Sequence, residues 1–284
     1  MGDGGTEAKN LVLSSRMRGP GGTRPIVVKL GGSVITDKSR KFCVRREVLK
    51  RLAEELAATG EPLVVVHGGG SFGHPLASEY GLRSGLRERS QLIGVSLTHR
   101  AMEQLNGYVI EALQGAGLPA VAIQPSACAV MERGRIAYME IRAFKEFLGL
   151  GLVPVSYGDV VPDLARGVSI LSGDQLVVYL AQKLNAKRVV IGVDVGGVYT
   201  GDPKVDKEAK LIREITPEDW EKMEKSIGGA RGPDVTGGMA NKIRELLELA
   251  KCGIEAQVVD ATRPGVVKRA ILGEPGMGTR IISR

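Results

Sequence analysis

The sequence predicts an α/β protein in which a mostly parallel central sheet is sandwiched by helices in three layers (αβα). From residue 25 onward, short runs of Val, Ile and Leu alternate with longer amphipathic segments, as in strands joined by crossover helices. The 39 glycines among 284 residues are about twice the usual ~7% share, and several stand where a predicted strand ends. Because parallel strands end at one edge of a sheet, we expect ligand-binding turns at that edge.

The elements follow in chain order from the same patterns. Residues 25–30 and 63–66 form apolar strands on either side of a helix over 45–59, and apolar residues spaced by four predict a helix over 96–114. Further strands are predicted at 119–123, 152–156, 188–193, 256–259 and 278–282, an extra edge element at 136–138, and further helices at 141–148, 173–183, 217–225 and 239–252. The longest connection is 226–238. Residues 25–284 are expected to form one domain after a disordered extension over 1–24.

Composition excludes several classes of protein. The formal net charge is +7, but there is no run of Lys and Arg and only 11 residues are aromatic (4 Phe, 1 Trp, 6 Tyr), so nucleic-acid binding is not expected. No apolar stretch approaches the ~20 residues that span a membrane, and no secretory signal is evident. Cys43, Cys128 and Cys252 are far apart, which argues against disulfides or a zinc site and favours a cytoplasmic protein.

Three glycine clusters stand at predicted strand ends or helix starts. They are 29–33 (Lys-Leu-Gly-Gly-Ser), 67–74 (His-Gly-Gly-Gly-Ser-Phe-Gly-His) and 236–239 (Thr-Gly-Gly-Met), the last with Lys242 one turn on. Backbone N–H groups at such places bind anions, so three clusters with Lys or His beside them suggest a polyphosphate ligand, although each pair of glycines could be only a turn. Neither the P-loop nor the Gly-x-Gly-x-x-Gly pattern is present.

The motifs at 28–33, 67–70, 172–174, 193–199 and 236–242 resemble, in order, those of the amino acid kinase family over about 25–284. Ser-Phe-Gly-His at 71–74 and Val-Ile-Thr-Asp-Lys at 34–38 resemble its isopentenyl phosphate kinase branch, whereas acetylglutamate kinases continue the triple glycine with a Pro-containing segment. The resemblance implies an enzyme that uses ATP with Mg²⁺ to phosphorylate isopentenyl phosphate. It also implies a homodimer, since members of the family are typically homodimers. The ion would be coordinated by the ATP phosphates, with few or no protein ligands.

The resemblance also implies roles for individual residues. The catalytic set would be Lys29, Lys38, His74, Asp174 and Lys242, with Asp174 orienting the two lysines at 29 and 242. ATP would be held by Lys29, Gly31, Gly32, Ser33, Gly70, Asp194, Tyr199, Gly238 and Lys242, and the acceptor by Gly69, His74 and Gly158. The N-terminal half would then bind the acceptor and the C-terminal half, from about residue 172, the nucleotide.

A phosphate acceptor agrees with the absence of a candidate general base in these motifs. Its second pKa is near ~6, so it is already an anionic nucleophile at neutral pH. Three alternatives stay open: a kinase for another small phosphate or phosphonate, as in the fosfomycin kinases, a carboxylate kinase of the same family, or a nucleotide sensor without catalysis.

The remaining polar residues have simpler interpretations. We expect His67 to be a hydrogen-bonded structural residue, His99 to be a surface residue of its helix, and Asp37 and Asp202 to cap loops. The apolar stripe of the 96–114 helix is a candidate wall for an isoprenoid tail.

Overall fold

The computed structural model describes residues 24–203, 205–227 and 237–283. Residues 1–23 of the predicted extension and most of the 226–238 connection lie outside the described residues. The strands are β1 (Ile26–Leu30), β2 (Leu63–His67), β3 (Ala120–Ala122), β4 (Ala129–Glu132), β5 (Arg135–Met139), β6 (Val153–Tyr157), β7 (Asp159–Asp163), β8 (Gly167–Leu171), β9 (Arg188–Val193), β10 (Val198–Tyr199), β11 (Leu211–Ile212), β12 (Glu214–Ile215), β13 (Ala256–Asp260) and β14 (Thr279–Ile281).

The α-helices alternate with these strands along most of the chain. They are α1 (Gly32–Ile35), α2 (Arg46–Ala57), α3 (Gly70–Glu79), α4 (Gln91–Gly115), α5 (Pro125–Cys128), α6 (Arg142–Gly149), α7 (Gly173–Lys183), α8 (Pro217–Ile227), α9 (Gly237–Ala250) and α10 (Val266–Leu272), with a short 3₁₀ helix at Leu82–Ser84. In the part of the chain that the structure describes, none of the helices is long and apolar enough to cross a membrane.

The central sheet has eight strands in the order β12-β14-β13-β9-β1-β2-β6-β3. Every neighbouring pair is parallel except β13 and β14. All five residues of β1 are buried, because this strand lies inside the sheet with helices over both faces. The carboxyl ends of β1, β2, β6 and β9 therefore meet at one edge, as the positions of the glycine clusters predicted.

Alternate residues of β1 enter two separate cores. Val27 packs in the core that includes Leu176 of α7, whereas Val28 packs in the core that includes Leu52 of α2 and Leu105 of α4. This alternation is the period-2 pattern of a strand, applied to a sheet that is covered on both sides. The predicted three-layer αβα class is confirmed.

A second sheet, with the order β5-β4-β7-β8, stands beside the first. The sequence predicted only its edge element at 136–138. Pro162 within β7 weakens the strand signal, because proline donates no ladder hydrogen bond. Asp163, at the end of β7, is joined to the turn between β4 and β5, since its carboxylate accepts from the backbone N–H groups of Arg133 and Gly134 at 3.1 and 2.8 Å.

Helices α3 and α10 were also missed. In α3, two glycines and Pro75 are turn signals, and local propensity argues against a helix. Tertiary packing outweighs propensity here: Phe72 is fully buried and makes edge contacts with Phe42 at 5.6 Å and Tyr108 at 6.3 Å between ring centroids. Because α3 begins at Gly70, it carries His74 to the edge where β1 and β2 end.

Candidate active site

A cavity of about 1270 Å³ opens at the carboxyl ends of the central strands. Its lining includes most of the residues that the sequence singled out, brought together from distant parts of the chain: Lys29, Gly31, Gly32, Ser33, Lys38, Gly69, His74, Gly158, Asp174, Asp194, Tyr199 and Lys242. Gly238 lies in the first turn of α9, four residues before Lys242. Gly70 packs behind the lining, against Gly32 and Thr36.

Two lysines share one carboxylate oxygen at the centre of this cavity. The Nζ atoms of Lys29 and Lys242 each lie 2.7 Å from Oδ1 of Asp174. Lys29 lies one residue before the end of β1, Asp174 lies in the first turn of α7 and Lys242 in the second turn of α9, so three elements supply the triad. A carboxylate between two ammonium groups offsets their repulsion and fixes where their charges stand.

The pKa values of this triad reflect its burial and its charges. Burial lowers the pKa of Lys29 to about 8, Asp174 opposes that shift, and the charge of Lys242 adds to it. Burial alone raises the pKa of Asp174, but the charges and hydrogen bonds of the two lysines outweigh it and lower that pKa to about 2. Asp174 is therefore ionised at neutral pH, whereas Lys29 is close to its titration.

The two N-terminal glycine loops lie against each other. A Cβ on Gly32 would stand 2.3 Å from the backbone N of Gly70, and one on Gly31 would stand 2.6 Å from the carbonyl oxygen of Gly192. Gly70 has φ of +47°, and a Cβ there would stand 2.1 Å from Oγ1 of Thr36. Glycine is therefore required at 31, 32 and 70 by contact between backbones, whether or not a ligand is bound.

This contact leaves backbone donors at the cavity. The N–H groups in the first turn of a helix have no intrahelical acceptor. Gly32 and Ser33 open α1, and Gly69 and Gly70 open α3. None of these four nitrogens donates a backbone hydrogen bond among the described residues. Two sets of donors thus lie side by side, in the arrangement that binds phosphate oxygens.

The other side of the cavity is basic. His74, on α3, lines it together with the predicted Lys38 and with Arg83, a residue that was not predicted from the sequence. His74 is exposed to solvent, yet partial desolvation of its ring and the nearby charges of Arg83, Lys38 and Lys29 lower its pKa from the ordinary 6.5. These side chains create a positive field that a dianion would neutralise.

Part of the wall is apolar, and it is not the predicted stripe. Ala101, Leu105 and Val109 point into the core, whereas the cavity receives Thr98 and Met102 of the same helix. A Cβ on Gly73 would stand 2.7 Å from Sδ of Met102, so this glycine allows α3 to lie close to α4.

The nucleotide-side residues are tied to the glycine loops. Oγ of Ser33 donates to Oδ1 of Asp194 at 3.0 Å, which joins the start of α1 to the end of β9. The Tyr199 hydroxyl packs against Gly196: a Cβ on that glycine would stand 2.4 Å from it. Asp202 lines the cavity beyond them.

Gly158 contributes only its lack of a side chain. Its backbone N–H donates to the carbonyl of His67 at 3.0 Å and is not free for a ligand. His67 itself is fully buried, its Nε2 lies 3.2 Å from Oδ1 of Asn106, and burial lowers its pKa to about 4. The interpretation of His67 as a hydrogen-bonded structural residue is confirmed.

Two further predictions can be compared with the structure. Asp37 caps its loop as predicted, by accepting from the N–H of Ser39 at 3.0 Å. The prediction for His99 holds only in part: its side chain is 24% exposed, but Nδ1 of its ring lies 2.9 Å from Oδ1 of Asp159, whose side chain is fully buried. The spacing of polar residues on a single helix could not reveal this partner 60 residues away.

Comparisons with known proteins agree with this site. A model of the amino acid kinase family matches residues 24–260. The isopentenyl phosphate kinase of Methanothermobacter thermautotrophicus is 44% identical over 268 residues, covering 91% of this chain and 99% of the relative. That of Methanocaldococcus jannaschii is 34% identical over 263 residues, covering 87% and 95%. A solved structure of an isopentenyl phosphate kinase has a TM-score of 0.80 at 40% identity, covering 90% of this chain and 99% of the other.

The fold and the paired lysines on one carboxylate define a phosphotransferase. The chain belongs to the amino acid kinase family. The resemblance predicted from the motifs between residues 28 and 242 is therefore confirmed.

Proposed function

We propose that this protein transfers the γ-phosphoryl group of ATP to isopentenyl phosphate, giving ADP and isopentenyl diphosphate. The observation that carries the proposal is the pairing, across one cavity, of the Lys29–Asp174–Lys242 triad with the basic group of His74, Lys38 and Arg83. The isopentenyl phosphate kinases that match nearly their whole length to this chain support the choice of acceptor.

The triad supplies positive charge where the transferred group gains negative charge. Phosphoryl transfer spreads charge over the equatorial oxygens, so catalysis consists mainly of positioning and electrostatic stabilisation. Lys29 and Lys242 would contact the transferring group and the ATP phosphates. Asp174 touches no phosphate in this account but holds the two ammonium groups at 2.7 Å from one oxygen.

The acceptor needs no general base on the protein. An alkyl phosphate with a second pKa near ~6 is largely a dianion at neutral pH, and one of its oxygens attacks the γ-phosphorus. That bond forms as the bond from the γ-phosphorus to the β–γ bridging oxygen breaks, and ADP leaves with the electron pair. His74 would bind the acceptor phosphate as a hydrogen-bond donor, with Lys38 steadying the transition state, and Gly69 and Gly158 would let the phosphate approach the backbone.

The nucleotide would lie on the opposite side. The N–H groups of Gly32 and Ser33 would bind the ATP phosphates, whereas that of Gly31 already donates to the carbonyl of Gly192 at 2.9 Å. Asp194, Tyr199 and Gly238 would hold the rest of ATP. Gly70 would support this loop from behind, through its contact with Gly32. We propose a division of labour in which the part up to about residue 172 binds the acceptor and the part after it binds ATP, except that the loop at 31–33 contributes to the site of the ATP phosphates.

Magnesium would be carried by the nucleotide. Among the described residues, no three His, Cys, Asp or Glu side chains converge into a group that could hold a metal ion. The acidic groups nearest the phosphates are engaged, Asp174 by two lysines and Asp194 by Ser33. The residues present therefore do not fit a protein-held ion, and an ion bound by ATP oxygens supplies charge neutralisation when present.

The apolar part of the cavity suits a short hydrocarbon tail. Met102 and Ala77 are buried and, with Ile170, line the cavity on the side of His74. A five-carbon tail placed among them would leave water without displacing polar groups, which favours binding. The flexible thioether of Met102 can also adapt to the shape of a tail.

We further propose that the enzyme is a cytoplasmic homodimer. The apolar side chains of Leu92, Ile93 and Leu97 are exposed on one stretch of α4, and a second copy of the chain could cover them. The three free cysteines suit a reducing compartment. Light scattering at micromolar concentration tests the dimer, and a mass of one chain would contradict it.

The test of the function is an acceptor panel in an ADP-release assay. Isopentenyl phosphate, fosfomycin and N-acetylglutamate are offered singly and in competition, each at saturating ATP. We expect isopentenyl phosphate to have the highest kcat/KM and to suppress turnover of the others. A higher kcat/KM for fosfomycin or for the carboxylate would overturn the proposal, and ATP binding without turnover of any acceptor would favour a nucleotide sensor.

A further inference from the structure

The turn after β6 is joined to α4 by a partly buried polar bridge that the proposed mechanism does not use. Asp159 follows Gly158, and its carboxylate is fully buried. Oδ1 accepts from the backbone N–H of Val160 at 2.8 Å and lies 2.9 Å from Nδ1 of His99, while Oδ2 accepts from the N–H of Ser126 at 3.3 Å. A buried carboxylate is costly unless such donors surround it.

The second ring nitrogen of His99 is also engaged. Nε2 lies 3.1 Å from Nε2 of Gln124, which in turn donates to Oγ of Ser126 at 2.8 Å. Nε2 also lies 3.4 Å from a carboxylate oxygen of Glu103. A ring that donates Nδ1–H to Asp159 and accepts at Nε2 from the Gln124 amide satisfies both sides, so the imidazole has one orientation.

The bridge connects two walls of the acceptor side of the cavity. Gly158 and Asp159 line it from the turn, and Thr98 and Met102 line it from the helix. His99 does not line the cavity, but it lies between these two helix residues in the chain. Its bond to Asp159 therefore sets the distance between the turn and the helix wall.

The helix turn next to the bridge has few polar contacts of its own. Oγ1 of Thr98 is buried and has no hydrogen-bond partner among the described residues. A threonine in a helix commonly bonds to the carbonyl four residues earlier, and an unpaired buried hydroxyl is unfavourable. No hydrogen bond of its own side chain thus holds Thr98 against the cavity. The hydrogen bond between His99 and Asp159 is the polar link beside it.

We propose that His99 and Asp159 are positioning residues that shape the acceptor side of the cavity and so determine the KM for isopentenyl phosphate. This inference rests on the proposed function. Neither side chain exchanges a proton or contacts the transferred group; they act through Gly158, Thr98 and Met102.

The test compares two substitutions at His99. His99→Leu has similar volume but removes both nitrogens, whereas His99→Asn places an amide N–H where Nδ1 stands and keeps the bond to Asp159. We expect His99→Leu to raise the KM for isopentenyl phosphate tenfold or more, with kcat and the KM for ATP changed less than twofold. His99→Asn should restore the acceptor KM to within threefold of the wild type, which a merely structural role would not require.

Wild-type turnover is measured first, so that two failures can be told apart. Wild-type protein without turnover of isopentenyl phosphate overturns the proposed function and this inference with it. Normal wild-type turnover with an unchanged acceptor KM in His99→Leu, or an equal rise in the KM for ATP, overturns the positioning role alone. If the leucine variant does not fold, Asp159→Ala removes the acceptor of the bridge from its other end, with the same expected rise and the same contradicting result.

Discussion

Lys29 and Lys242 meet at a single atom, since both ammonium nitrogens lie 2.7 Å from Oδ1 of Asp174. One negative charge thereby holds two positive charges next to each other. Asp174→Asn would leave the lysines to repel each other and to lose their direction. We expect kcat to fall by about 100-fold or more, in line with the loss of an electrostatic contact to a transition state. Circular dichroism and thermal melting check that the variant folds, and a kcat within threefold of the wild type would contradict the assignment.

Lys29 predicts a pH dependence. Because burial lowers its pKa to about 8, the free enzyme loses this positive charge as the pH rises through about 8. The kcat/KM for ATP reports the free enzyme and should fall over that range, whereas kcat should fall only at higher pH, because bound phosphates raise the pKa of Lys29. In Asp174→Asn the decline in kcat/KM should move to lower pH, since Asp174 opposes the shift. A flat wild-type profile to pH 10 would count against this role.

Removal of the Lys29 ammonium group itself should slow the chemical step at every pH. For Lys29→Ala we expect kcat to drop at least ~100-fold, since a donor to developing charge is typically worth ~3 kcal/mol. Single-turnover measurements separate this chemical effect from slower product release. Wild-type single-turnover rates in the alanine variant would rule out a catalytic part for Lys29.

His74 should affect the acceptor and not ATP. His74→Ala removes a donor from the basic side of the cavity, so the KM for isopentenyl phosphate should rise tenfold or more while the KM for ATP changes less than twofold. Ser78→Ala, one turn on and exposed on the same helix, is the matched control and should leave both constants unchanged. Unchanged acceptor kinetics in His74→Ala would refute its role.

Gly32 tests the contact between the glycine loops. In Gly32→Ala the new Cβ would meet the backbone N of Gly70 at 2.3 Å, and backbone cannot move aside as a flexible side chain can. We expect a loss of about 1–3 kcal/mol in the free energy of unfolding and at least a tenfold loss of kcat/KM. Gly149→Ala is the control: nothing lies within 4 Å of that position at the end of α6, and alanine there should be neutral or stabilising by up to about 1 kcal/mol. Equal melting temperatures for the two variants would contradict the contact.

Much of the fold could be predicted because its signals are local. Val, Ile and Leu runs marked every long strand of the central sheet. Lys29 interrupts one of these apolar runs, where an unpaired buried charge would be costly. Elements with weak local signals were missed: α3 combines glycines with Pro75, and β7 contains Pro162. Burial of Phe72 and the backbone bonds to Asp163 decide these segments, and neither can be read from neighbouring residues.

The site was predictable in its residues but not in its geometry. Motif order identified Asp174 and Lys242, yet only the structure places both lysines on one oxygen. Gly32 was predicted only as part of the ATP site, whereas the structure shows that close contact with Gly70 already requires glycine there. Arg83 and the partner of His99 carry no motif at all, because their positions depend on packing between segments far apart in the chain.

The proposed phosphoryl transfer to a phosphate can be read from the bond that the enzyme makes. Phosphorus NMR of the protein with ATP, magnesium and isopentenyl phosphate should show the monoester signal replaced by two coupled signals of a new diphosphate, in equal amount to the ADP formed. ADP formed without a new phosphorus–oxygen–phosphorus linkage on the acceptor would contradict the central claim.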